Sequence, residues 1–112
     1  MYAVIRQWTG ASELIDAMDS RRGEVEQLIS GVPGFVAYHA VRAGDGLTSV
    51  TLCQDKAGTD ESTRVAGQWV RENLPAVTLA APRISEGEVF VSFGAGGSPS
   101  LGSRPGAERT RA

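Results

Sequence analysis

The chain has 112 residues, 41% of them hydrophobic and 21% charged, a length that accommodates one small domain and excludes a second independent core. The net charge is -2, no run approaches the ~20 apolar residues of a membrane span, and Met1 to Gly10 carries Arg6 and two aromatics where a secretory signal needs an apolar core. A cytoplasmic protein with neither nucleic-acid nor membrane partners is expected, and one cysteine, Cys53, with one histidine, His39, leaves too few ligands for a disulfide or a zinc cage.

Tyr2 to Trp8 is an aromatic and β-branched run closed by Thr9-Gly10, and it predicts a first strand. Ser12 offers an N-cap, and Leu14, Ile15, Met18, Val25, Leu28, Ile29 and Val32 follow helical spacing. A first helix over residues 12–30 follows, with Arg22 falling on its apolar stripe. Gly31-Val32-Pro33-Gly34 stops it, and Phe35 to Arg42 predicts a second strand. Ala43-Gly44-Asp45-Gly46 is a tight turn and Leu47 to Gln54 is again β-rich, so residues 35–54 form a hairpin.

Thr59 or Asp60 can cap a second helix, in which Val65, Ala66, Trp69, Val70 and Leu74 share one face before Pro75 ends it. Ile84 stands isolated, and Val89, Phe90, Val91 and Phe93 predict the last strand. From Gly94 onward, ten of nineteen residues are Gly, Pro or Ser. Such a segment buries too little to offset its ordering entropy, so residues 94–112 are expected to be a disordered tail behind a folded domain over 1–93.

The order βαββαβ is that of ferredoxin-like domains: an α+β fold with a four-stranded antiparallel sheet and two helices on one face. The uncovered face of such a sheet should alternate to polar residues. Here Phe35, Ala37, His39 and Val41 would occupy one face of the second strand and Val36, Tyr38, Ala40 and Arg42 the other, both largely apolar. Two helices cover one face, so a second copy packed sheet to sheet is expected to cover the other.

With Pro33-Gly34-Phe35 entering the second strand and the hairpin leading to Asp55 before the second helix, the chain over residues 2–93 resembles the dimeric α/β barrel superfamily, and within it the antibiotic biosynthesis monooxygenase-like group. The resemblance implies a pocket between sheet and helices for a small aromatic or quinone-like molecule. It also implies oxygenation in which the substrate itself reduces dioxygen, with no metal, flavin or other cofactor. A non-catalytic ligand-binding or structural dimer of the same fold is the alternative.

Six side chains are candidates for that pocket. His39 has the chemistry of a general base or haem ligand, but its alternation partners Ala37 and Val41 are apolar. Tyr38 can donate its hydroxyl to an anionic oxygen, and Arg22 or Arg6 can stabilise the charge. Trp8 and Trp69 can floor an aromatic ligand, although Trp69 also fits an ordinary helix stripe. The resemblance associates haem degradation with an asparagine on the first strand and a histidine early in the second helix. This chain has no Asn between Met1 and Trp8, and reads Thr59-Asp60-Glu61-Ser62 in the helix. Cys53 has no activating neighbour in sequence and reads as an apolar filler.

Overall fold

A computed structural model describes residues 1–95 of the chain; the predicted tail, residues 94–112, lies outside the described residues from position 96. The elements run β1 (Tyr2–Trp8), α1 (Ser12–Ser20), α2 (Arg22–Ser30), β2 (Phe35–Ala43), β3 (Gly46–Cys53), α3 (Lys56–Asn73) and β4 (Arg83–Glu88). The four strands form one antiparallel sheet in the order β2-β3-β1-β4, the ferredoxin-like arrangement. Among the described residues no helix is long and apolar enough to cross a membrane.

The predicted first helix is two helices. The chain breaks at Arg21 (φ -126°, ψ 41°), and the second segment restarts in a new rotational phase. That phase takes Arg22 off the apolar stripe into solvent, where its Nε donates to Asp19 Oδ1 at 2.8 Å. Ser12 is not the N-cap. Ala11 takes that position without a side-chain bond, because its methyl is fully buried and its N–H is tied to the Asp45 carbonyl at 2.7 Å.

Helix α3 begins before the predicted Thr59 or Asp60. Asp55 is the cap, its carboxylate accepting from Gly58 N, and Thr59 instead turns into the buried face. Gly58 is required there by close approach: a Cβ would lie 2.3 Å from the Pro33 carbonyl oxygen and 2.8 Å from Cys53 Cβ.

The last strand is also displaced from its predicted place. Arg83–Glu88 pairs with β1, Tyr2 opposite Glu88 and Gln7 opposite Arg83, and the final bond runs from Val89 N to Met1 O at 2.9 Å. Phe90, Val91 and Phe93 lie past the paired segment and are exposed despite their β propensity. Backbone pairing, not side-chain preference, selects the polar segment as strand.

Register determines which residues meet the helices. Val4, Arg6 and Trp8 of β1 stand beside Thr51, Ser49 and Leu47 of β3, and Tyr38, Ala40 and Arg42 of β2 continue that face. A bulge at Val36 pairs Phe35 with Cys53 and Ala37 with Leu52. Phe35 therefore shares the helix-covered face with Tyr38, contrary to simple alternation from Phe35 to Val41. The core lies between this face and the helices, built on Ala11, Leu14, Ile15, Leu47 and Trp69 with Met18, Val25, Leu28 and Val70 around them. The opposite face carries Ala3, Ile5, Val50, Leu52, Ala37, His39 and Val41, and no element of the described chain covers it.

Candidate functional site

Between α1, α2 and the β2 side of the sheet runs a groove of about 620 Å³, lined by Met18, Arg22, Val25, Ile29, Phe35, Tyr38, Ala40 and Arg42 among others. The α1–α2 break at Arg21 and the β2 bulge at Val36 both adjoin its lining, next to Arg22 and Phe35. A narrow inner pocket of about 30 Å³ continues under α3, lined by Arg6, Trp8, Ser49, Trp69 and Val70. Met18, Val25, Ile29 and Tyr38 border both spaces. Tyr38 thus stands at the junction of an amphipathic groove and a mostly apolar inner end.

The charged exception at that inner end is Arg6, 2% exposed on the central strand β1. Its Nη1 donates to Thr51 Oγ1 at 3.2 Å, and its Nη2 donates to Ser62 Oγ at 2.6 Å and to Thr63 Oγ1 at 2.9 Å. Among the described residues no carboxylate pairs with it. Arg6 Nε and the buried Ser49 Oγ have no hydrogen-bond partner. Desolvation of an ion costs several kcal/mol, while each hydrogen bond to a charged group returns roughly 1.5–3 kcal/mol. Three hydroxyls therefore make the burial tolerable, but being neutral they leave the positive charge uncompensated.

Electrostatics around Arg6 agree with this. Burial lowers the guanidinium below its ordinary value, opposed by nearby Tyr38 and Cys53. Burial raises the Tyr38 phenol, and the neighbouring Ser49 hydroxyl and Arg6 charge pull it back only in part. The Cys53 thiol is likewise raised by burial and then by Asp55, with Arg6 opposing. Tyr38 is accordingly a hydrogen-bond donor at neutral pH, and Cys53 stays a buried thiol.

The sequence candidates separate into three groups. Arg6, Trp8, Tyr38 and Trp69 converge on the inner pocket. Arg22 lies at the outer groove, exposed and paired with Asp19. His39 stands on the open face, opposite Val50, so alternation along β2 separates it from Tyr38 and from the cavity. Trp69 combines both of its readings: it is in the core, 7% exposed, its Nε1 donates to Glu24 Oε1 at 3.2 Å, and it borders the inner pocket.

The hydroxyls of Ser49, Thr51, Ser62 and Thr63 escaped the sequence reading. A signal for them exists: Ser49 and Thr51, two apart in β3, share one face, and an arginine inside β1 needs acceptors. Among the described residues no group of three or more His, Cys, Asp or Glu side chains could hold a metal ion.

No known family model matches the chain, and no curated protein matches it. Solved structures do. A Chloroflexus aurantiacus protein provisionally assigned as an antibiotic biosynthesis monooxygenase superposes with a TM-score of 0.59 at 16% identity, covering 83% of this chain and 96% of its own. A haem degrader from Mycobacterium tuberculosis, with two haems bound in its active site, superposes at 0.59 and 13% identity over 84% and 100%. A dimeric ferredoxin-like protein from an uncultured marine organism superposes at 0.58 and 12% identity over 82% and 95%. The chain is similar to these in fold, and that fold is the ferredoxin-like one.

Proposed function

We propose that this chain is an antibiotic-biosynthesis-monooxygenase-like protein that binds a small, largely apolar aromatic or quinone-like molecule in the cavity between sheet and helices. The observation that carries the reading is the cavity itself: a groove of about 620 Å³ leading to an inner end walled by both tryptophans of the chain, Trp8 and Trp69. A flat apolar body fits in the outer groove against the Val25–Ile29 wall of α2 and Phe35, with Tyr38 donating to an oxygen on it and only that tip reaching toward Trp8 and Trp69. Arg6 stands behind Tyr38, and Arg22 marks the mouth.

The reaction this arrangement serves is cofactor-independent oxygenation, in which the bound molecule supplies the electrons that reduce dioxygen. The fold likeness to the Chloroflexus protein supports that reading. Haem degradation is less well supported, since His39 faces away from the cavity and the lining holds no imidazole among the described residues. We assign His39 instead to the interface of a homodimer formed through the open sheet face, a reading supported by the dimeric neighbour.

Titration with a tricyclic phenol or quinone, followed by tryptophan fluorescence, tests binding, and an oxygen electrode with the phenol, which unlike the quinone has electrons to give dioxygen, tests turnover. Saturable quenching with oxygen uptake is the expected result. Quenching without uptake would leave a ligand-binding protein, and no quenching by any such molecule would overturn the proposal.

A further inference from the structure

The guanidinium of Arg6 is buried on the central strand, bonded only to neutral hydroxyls. Its Nε makes no hydrogen bond, and the Oγ of Ser49, paired opposite Arg6 in the β1–β3 ladder, is equally unpartnered. Both residues line the inner pocket, together with Tyr38. Buried polar atoms without partners are uncommon in folded proteins, and two of them beside one pocket of about 30 Å³, room for an oxygen but not for a ring, point to a site for a single polar ligand atom. The charge says which atom. A buried cation without a counter-ion gains most from an anionic oxygen, and such hydrogen bonds are about twice as strong as neutral ones.

The inner pocket also lacks a base. Its lining holds no carboxylate or imidazole, His39 is on the other face of the sheet, and the carboxylates of Asp19 and Glu26 belong to the outer groove. Tyr38 keeps its proton. A phenol of ordinary acidity would therefore enter protonated, and nothing at the inner end would take its proton.

We propose that the inner end is an anion subsite, in which Arg6 Nε and the Ser49 and Tyr38 hydroxyls receive an oxygen already ionised in solution, so that the ligand is an aromatic carboxylate or a comparably acidic enol. This rests on reading the cavity as a ligand site and narrows the ligand's chemical class. Arg6 and Ser49 are binding residues in it; Thr51, Ser62 and Thr63 are positioning residues that hold the guanidinium and leave Nε free.

The test uses the fluorescence of Trp8 and Trp69, which line the same pocket. The full chain is titrated with 2-naphthoate, its methyl ester, 2-naphthol and the acidic enol 2-hydroxy-1,4-naphthoquinone. The two acids are expected to bind at least about tenfold more tightly than the ester and the naphthol, the worth of one hydrogen bond to a charged group. In Arg6→Met that preference should fall to near unity while the ester still binds. Ser49→Ala, which removes a hydroxyl that takes no part in holding the Arg6 guanidinium, should weaken the acids alone, and it keeps the test open if the Arg6 variant does not fold.

Preference for the carboxylate over the enol, or the reverse, tells which anion the subsite takes, and either supports it. Equal binding of acid and ester would overturn the anion subsite and leave the ligand cavity standing. A preference that survives Arg6→Met would place the anion on Arg22 or Arg42 at the groove instead, and overturn it equally. Absence of quenching by all four compounds would remove the cavity reading and the subsite with it.

Discussion

Arg6 Nη2 donates to Ser62 Oγ at 2.6 Å, linking β1 to α3 across 56 positions of sequence. Ser62 in turn donates to the Thr59 carbonyl at 2.7 Å, so one hydroxyl ties the strand's guanidinium to the helix's own backbone. This places a charged side chain at the point where α3 rests on the sheet, a position where an apolar group would pack at no desolvation cost.

The cost of that choice is measurable. Replacing a buried ion by an apolar side chain of similar volume is often neutral or stabilising by ~1–4 kcal/mol. Arg6→Met is therefore expected to fold and to be at least as stable as wild type in denaturant titrations. A loss above about 3 kcal/mol, the range for breaking a buried network, would show that Arg6 is held for stability and not for a ligand.

Trp69 is expected to behave as core. It is almost fully buried and packs in the cluster with Leu14, Ile15 and Leu47, so Trp69→Ala should cost ~3–5 kcal/mol. Urea melts of the two proteins decide it. A folded variant losing less than about 1.5 kcal/mol would mean that the inner pocket, rather than the core, accounts for most of the ring's surroundings.

Two glycines give opposite expectations for the same substitution. Gly58→Ala drives a methyl to 2.3 Å from the Pro33 carbonyl, backbone that cannot rotate away, and the loss should reach or exceed the ~1–3 kcal/mol usual for overpacking. Gly23 is helical, and nothing lies within 4 Å of the point its methyl would occupy, so Gly23→Ala should gain ~0.4–1 kcal/mol. Thermal melts of both variants would contradict this account if their order were reversed.

Alkaline stability follows from Tyr38 and Cys53, both acids whose ionisation is resisted in the folded state, chiefly by burial. Above their unfolded values, about 8.5 for the thiol and about 10 for the phenol, the unfolded chain releases protons that the folded chain retains. Their stabilising contribution is thus complete below those values and is lost as pH rises toward the folded ones. Tyr38→Phe should lose less stability between pH 8 and pH 11 than wild type, measured by denaturant midpoints. Parallel losses would mean that the phenol is not desolvated.

The homodimer is tested at Val50, half-buried at the middle of the open face between Ile5 and His39. Sedimentation of wild type at micromolar concentration should give twice the chain mass, and Val50→Glu should give a monomer, since burying a carboxylate at the centre of an apolar interface is costly even beside His39. A wild-type monomer would refute the interface.

Much of the architecture was legible because it is local. Helical spacing in Leu14 to Ile29, the stop at Pro33-Gly34, and the turn at Ala43 to Gly46, where Gly44 takes φ 60°, are read from neighbours in sequence, and from them follows the βαββαβ order. Two-sided hydrophobicity in β2 likewise announced an uncovered face. Arg6, Trp8, Tyr38 and Trp69 could be named as candidates by residue type alone.

Which of them meet could not. The bulge at Val36 and the β1–β3 register put Tyr38 on the side of Arg6 and His39 on the other, and a shift of one position would exchange them. The ladder with β1 made a strand of Arg83–Glu88 and left Phe90 and Phe93 outside it. The hydroxyls around Arg6 come from β3 and α3, far apart in the chain. Periodicity and turn chemistry are properties of adjacent residues, so they are written in the primary structure; register and the company kept by a buried charge are relations between distant segments, and exist only once those segments have packed.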